Sequence, residues 1–204
     1  MKAQARALRA AALLLAYPDD DFYDRLPVVR AAAAPFPGLA RFLEHVDGHS
    51  PARLQRDYVD TFDLRRRCCL YLTYYSYGDT RKRGMALLRF THAYRAAGYE
   101  LDASELPDHL AVVCEFAAAA PEAGLRLLRE HRAGVELLRM ALADAGSPYV
   151  EVVDAIRAVL PEPAPRDLER ALALAQSGPP AEEVGLEPFG PPEINGLDPA
   201  GVRR

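Results

Sequence analysis

Glu105, Asp108 and His109 stand together in the run E-L-P-D-H-L (105–110). Acids and an imidazole exposed together at a proline-led helix start can bind a cationic segment or cap their own helix. Pro107 favours the latter, because proline fits the first helical position and acids suit the positive end of the helix dipole. The pattern predicts a helix starting at Pro107, with Asp108 and His109 exposed together in its first turn. An imidazole beside a carboxylate would also gain charge as pH falls.

A second constellation lies in D-Y-V-D-T-F-D-L-R-R-R-C-C-L-Y-L-T-Y-Y-S-Y-G-D-T-R-K-R-G-M-A-L-L-R-F (57–90). It holds five of the ten tyrosines, two of the three cysteines, and the basic triplets Arg65-Arg66-Arg67 and Arg81-Lys82-Arg83. Tyrosine joins a large apolar body to one hydrogen-bonding end, which suits a gripping surface as well as a core. Tyr58 and Phe62, flanked by Asp57, Asp63 and Arg65, are the candidates for such a surface, with Phe62 mostly core. The basic triplets can meet a phosphate-bearing cofactor or acids on a partner; otherwise they are solvated faces of little energetic weight. Cys68 and Cys69 are adjacent, so an ordinary disulfide between them is strained, and no Cys/His spacing fits a structural zinc site. Buried thiols acting as small hydrophobes fit best. No nucleophile elbow, Walker loop, zinc-protease motif or dinucleotide fingerprint occurs, so no catalytic residue, metal or cofactor is expected.

The 204 residues suffice for one core, and the net charge of −4 gives no basic face for nucleic acid. The apolar run Ala10–Tyr17 is far short of the roughly 20 residues a bilayer span needs. Tyr17-Pro18 and three aspartates follow it rather than a cleavage site. A cytoplasmic protein without a leader or membrane insertion is the expectation.

The elements that must position these groups read as helices throughout. Helix-favouring residues fill 3–16 and stop at Tyr17-Pro18. Asp19 caps a helix through Ala34 that Pro27 should interrupt or kink. Helices follow over 37–46 and from Pro51, the latter capped by Ser50 and carrying Leu54, Tyr58 and Phe62 as an apolar stripe. Cys68–Tyr77 allows a strand, but no partner strand is evident, and it reads as a helix. Gly78-Asp79-Thr80 is a break and a cap, and Gly98 ends the next helix. Leu110, Val113, Cys114 and Ala117 form a core face. One long helix is expected from Pro121 to about Ala145, then two more over 149–160 and 165–176. The fold class is all-α, a single helical bundle of about nine to ten helices over 1–176. Residues 177–204 contain six prolines and five glycines and read as a flexible tail.

The run Y-V-D-T-F-D-L-R-R-R-C-C-L-Y-L-T-Y-Y (58–75), with G-D-T-R-K-R-G-M-A-L-L-R-F (78–90), E-L-P-D-H-L (105–110) and L-L-A-Y-P-D-D-D-F (14–22), resembles the NarJ family of respiratory nitrate reductase assembly chaperones. These fall within the wider TorD/DmsD class, and the likeness covers roughly residues 5–160. The resemblance implies a TorD-like bundle. It also implies a chaperone that binds the N-terminal segment of the apo α subunit of nitrate reductase and keeps it open to molybdenum-cofactor insertion. Molybdenum-cofactor biosynthesis proteins are further implied partners. Glu105, Asp108 and His109 match a family signature for leader-peptide binding, and Tyr58 and Phe62 match a groove-lining Y-x-x-x-F pattern. The wider class follows that pattern with a Gly/Pro segment where Leu64–Cys69 stands here, so its other contact residues do not transfer directly. The rival readings are an enzyme, a helical interaction adaptor, and a chaperone for another molybdoenzyme.

Overall fold

The computed structural model describes residues 2–102 and 105–178. Among them are eleven α-helices and no strand. The tail expected over 177–204 lies, from residue 179 onward, outside the described residues.

Helix α1 (Lys2–Leu14) is the axis of the bundle. Ala7, Leu8, Ala10, Ala11, Ala12 and Leu14 are all buried. Its small alanines let α7 (Leu110–Ala119), α10 (Val150–Val159) and α2 (Asp20–Ala33) pack close around it. Asp19 caps α2 as its sequence predicts, its carboxylate accepting from Phe22 N at 3.0 Å. Pro27 does not interrupt α2. The helix runs through an exposed Pro27, so only one ladder bond is lost. Helix α3 (Pro37–Asp47) and helix α4 (Pro51–Tyr58) follow. Ser50 occupies the α4 cap position but its side chain makes no cap bond.

Three departures from the sequence reading shape the site. First, α4 continues as a single wide turn over Val59–Asp63, closed by Leu64 N to Val59 O at 3.1 Å. Such single π turns are rare inside helices and occur often at functional sites. Second, Cys68–Tyr77 is not one helix. A short 3₁₀ turn (Arg66–Cys68) and α5 (Tyr74–Tyr77) bracket a non-helical stretch in which Tyr71 bridges antiparallel to His109 before the chain turns at Leu72 and Thr73. Third, the helix expected from Pro121 to Ala145 divides into α8 (Pro121–Glu130) and α9 (Arg132–Asp144) at His131. The division accounts for a count above nine or ten. Helix α6 (Arg81–Ala96) lies between α5 and α7 in sequence, and α11 (Pro165–Ser177) packs on α9. Thr80 sits at the α6 cap position without a side-chain cap bond.

The α8–α9 break is held by a buried network. Arg132 donates to Glu136 at 2.6 Å and to the Pro161 carbonyl at 2.9 Å, and Arg157 of α10 also donates to Glu136. His131 stacks on Phe90 with centroids 4.8 Å apart. No helix among the described residues is long and apolar enough to cross a membrane.

Two consequences are measurable. A Cβ on Gly124 would stand 2.2 Å from the Ala117 Cα, so α7 and α8 meet where only glycine fits. Gly124→Ala should cost about 2–3 kcal/mol in urea unfolding. Gly84→Ala, with open space around it, should be neutral or stabilising by up to about 1 kcal/mol. Equal effects would refute the close-contact account. Separately, burial lowers the His131 pKa from 6.5 to about 4, Arg170 and Arg89 adding to this and Asp108 opposing it. The unfolded chain therefore takes up this proton first. Its contribution is complete above about pH 6.5 and is lost as pH falls toward about 4. On the order of 2 kcal/mol is at stake. His131→Gln should flatten that part of the stability profile between pH 7 and 4.5, and an unaltered profile would count against it.

Candidate functional site

The centre of the site is the joint between the 70–73 stretch and residues 105–109. Leu72 N donates to the Asp108 carbonyl at 3.1 Å and Leu110 N to the Leu70 carbonyl at 2.8 Å. These two bonds make the Tyr71–His109 bridge. Asp108 and His109 precede α7 and are buried, at 0% and 8% exposure, rather than exposed in its first turn. The partners that draw them in come from elsewhere in the chain. Asp108 Oδ2 accepts from Thr73 N at 3.0 Å and from Thr73 Oγ1 at 2.5 Å. Arg83 of α6 stands 3.8 Å from the same oxygen and donates to Thr73 Oγ1 at 3.2 Å. Its guanidinium also lies over the Tyr71 ring, 5.4 Å from the centroid. A buried carboxylate is tolerated only with such company.

Glu105 is the half-buried acid of this group. Its Oε1 accepts from the Tyr71 hydroxyl at 3.0 Å and from Leu106 N at 2.7 Å. Burial and the Glu105 charge push the Tyr71 phenol up to about 12, so it remains a donor at neutral pH. The His109 ring meets Tyr71 edge-on at 5.3 Å. Burial lowers its pKa against the opposing charges of Glu105 and Asp108, so the imidazole stays neutral near pH 7. Its buried Nδ1 and Asp108 Oδ1 have no hydrogen-bond partner among the described residues.

Tyr58 forms a second hub. It is buried, as is Phe62, and the wide turn brings their centroids to 4.8 Å. Its hydroxyl donates to the Leu15 carbonyl at 3.1 Å. The exposed Tyr17 meets its ring edge-on at 5.4 Å. Burial raises the Tyr58 phenol, and the charges of Asp63 and Glu105 add to the rise, so both acids lie within electrostatic reach of it. Asp63 is exposed, and the neighbouring Leu64 and Leu106 are exposed apolar side chains.

Asp57 and Arg65 fall in a third place, an open cleft of about 370 Å³ walled also by His45, His49 and Tyr149. Asp57 accepts from Arg53 at 2.7 Å. Tyr58 and Phe62 do not line this cleft; they pack behind Tyr149, at 6.0 and 4.7 Å. The structure thus separates the eight candidates into the cleft of Asp57 and Arg65, the Tyr58–Phe62 pair with Asp63 beside it in the chain, and the joint of Glu105, Asp108 and His109.

Tyr17, Tyr71 and Tyr149 join the site although pattern reading did not single them out. Each lies at a helix boundary or outside any helix, where no periodicity signals its role. No group of three or more His, Cys, Asp or Glu side chains among the described residues could hold a metal. Cys68 and Cys114 are buried thiols, and burial pushes Cys69 up to about 11, so none is poised as a thiolate.

Comparison with known proteins places this architecture. The family model described as nitrate reductase delta subunit matches residues 28–154, more than half of the chain. A Bacillus subtilis protein named "Probable nitrate reductase molybdenum cofactor assembly chaperone NarJ" is 33% identical over 158 residues, 74% of this chain and 86% of its own length. Escherichia coli K12 NarJ, named a nitrate reductase molybdenum cofactor assembly chaperone, is 28% identical over 69% of this chain and 64% of its own. The nitrate reductase-like protein NarX of Mycobacterium tuberculosis H37Rv is 44% identical over 119 residues, and the match spans only 18% of that longer protein. A solved Archaeoglobus fulgidus structure, assigned as a redox enzyme maturation protein, superposes with a TM-score of 0.60 at 26% identity, covering 76% of this chain and 91% of that one. With the family match over most of its helical core and a relative of similar length at this identity, the chain belongs to the nitrate reductase delta subunit family, that of the NarJ-type chaperones.

Proposed function

We propose that this protein is a cytoplasmic chaperone for the catalytic α subunit of respiratory nitrate reductase. It binds the N-terminal segment of the apo subunit, holds it competent for molybdenum-cofactor insertion, and leaves before the enzyme matures. Molybdenum-cofactor biosynthesis proteins would meet the complex at that stage. No chemistry is asked of the chaperone. Preference for the unloaded client gives the required differential affinity.

The observation that carries this reading is the convergence about Tyr58. Exposed Tyr17 meets its ring edge-on, the exposed acid Asp63 follows Phe62 in the chain, and Glu105 is held by the Tyr71 hydroxyl. Exposed Leu64 and Leu106 adjoin those acids in the chain. Such a surface suits an amphipathic helix, apolar on one face and cationic at one end. Asp108 serves it from inside, by fixing the stretch that carries Tyr71 and through it Glu105.

Calorimetric titration with a peptide of about 15 residues, the length near which isolated helices become marginal, from the α-subunit N-terminus tests this. Saturable binding is expected. Asp63→Asn with Glu105→Gln together should weaken it roughly tenfold, since exposed ion pairs contribute up to about 1 kcal/mol each. The thermal midpoint should stay unchanged in that variant. Asp108→Ala should instead lose about 3 kcal/mol of stability, because Thr73 and Arg83 are left without their buried partner. Binding neither to the peptide nor to the whole apo subunit would refute the proposal. Full affinity in the Asp63/Glu105 variant would move the site elsewhere.

A further inference from the structure

Helix α1 begins against its own dipole. Its first turn carries Lys2 and no acid, whereas α2 opens with Asp20 and Asp21. A cation at that end is unfavourable, because the unpaired N–H groups there already make it positive. Lys2, Arg6 and Arg9 follow one another at i, i+4 and i+7, so three exposed cations share one stripe and repel. None of the three forms an ion pair among the described residues. Arg6 is steadied by Phe36, its guanidinium 5.9 Å from the ring centroid.

The stripe borders an open groove of about 330 Å³ between α1 and α2. Its walls are apolar, with Leu13 on one side and Val28 and Val29 on the other. Val28 is 71% exposed, a branched apolar side chain left open to solvent at the rim. The cleft at Asp57 and the cleft between Arg65 and Asp144 each hold acids among their lining residues. This groove holds none among the described residues, and Lys2, Arg6 and Arg9 are its charged groups. An apolar trough with cations along one side complements a segment that is apolar and acidic. A cationic client helix would be repelled from it.

The run E-P-F-G-P-P-E-I-N-G-L-D (187–198) has that chemistry. It carries Glu187, Glu193 and Asp198, the large apolar residues Phe189, Ile194 and Leu197, and no Lys, Arg or His. We propose that this segment of the chain lies back along the α1–α2 groove, its apolar side chains between the two helices and its acids against Lys2, Arg6 and Arg9. Docking there answers the charges that α1 leaves uncompensated at its positive end. Reach sets no limit. The segment starts nine residues beyond Gly178 and ends twenty beyond it. That length of chain spans up to about 30 to 70 Å, whereas a compact body of this size has a radius of gyration of about 16 Å. Tethering gives an effective concentration on the order of millimolar, so a few apolar contacts and exposed ion pairs suffice. The inference does not depend on the chaperone reading.

The chain has no tryptophan, so Phe189→Trp places a single indole within the segment. Quenching by acrylamide, which is uncharged, reads whether that indole is covered in the full-length protein at low salt. The expected result is quenching several-fold weaker than in a free synthetic peptide of residues 187–198 carrying the same substitution, at every protein concentration. Adding Val28→Asp, or Lys2→Glu with Arg9→Glu, should raise quenching toward the peptide's value. Each exposed ion pair lost should shift the docking equilibrium by up to about fivefold. Glu187→Lys with Glu193→Lys, added to the Lys2 and Arg9 reversals, should restore the protection, which a general loss of stability would not do. Arg95→Glu, at an exposed position on α6, should change nothing. Peptide-like quenching in the full chain would overturn the proposal, as would protection that the groove substitutions leave unmoved. Protection that grows with protein concentration would overturn it too, by giving the groove to the same segment of a second copy. Lys2, Arg9, Val28 and Arg95 are all exposed, so folding is little at risk, and circular dichroism checks that helicity is kept.

Discussion

The structure around the site depends on one buried carboxylate. Asp108 is completely removed from water, and that is costly unless its charge is answered. Thr73 answers with its backbone N–H and its hydroxyl, and Arg83 with its guanidinium. These partners come from the turn after the Tyr71 bridge and from α6, separated from Asp108 by 35 and 25 residues. Satisfying one charge therefore fastens three parts of the chain. The Tyr94 hydroxyl adds a fourth tie by donating to the Pro107 carbonyl. Glu105 is left half-buried beside this carboxylate, oriented by the Tyr71 hydroxyl.

The same logic runs through the aromatic residues. Tyr58, Phe62 and Tyr149 pack edge-to-face inside the bundle, and the wide turn after α4 keeps Phe62 under Tyr58. Rigid rings inside then allow polar and apolar groups outside to be presented at fixed spacing. A chaperone that works by affinity alone needs such preorganisation, since each side chain ordered on binding subtracts from the free energy available to hold the client. The arrangement also separates stability from recognition. Asp108, Thr73 and Tyr75 belong to the first, while Asp63 and Leu64 are exposed and stand free of the core.

Helix α1 supplies the frame on which this is possible. An alanine-rich helix at the centre admits close neighbours on several sides, and the α7–α8 contact at Gly124 shows how little space remains. Packing at that density transmits position well, so the 105–109 joint at the start of α7 is held relative to α1 and, through Tyr58 and Leu15, relative to α4.

The sequence by itself determined the all-helical class, most helix limits and the core faces of α4 and α7. Those properties follow from local periodicity and from capping residues such as Asp19, whose partners are three or four positions away. It singled out Glu105, Asp108 and His109 as one candidate site and Tyr58 and Phe62 as another. It misread Asp108 and His109 as exposed, and Cys68–Tyr77 as a helix, for a single reason. The strand-like bridge between Tyr71 and His109, and the carboxylate's bonds to Thr73, join residues far apart in the chain, and no local pattern records them. The break at His131 has the same origin, in Phe90, Glu136 and Pro161 reaching in from elsewhere. Only the tertiary structure decided which acids face outward and which one is spent holding the site together, because burial is a property of the packed chain and not of the residue.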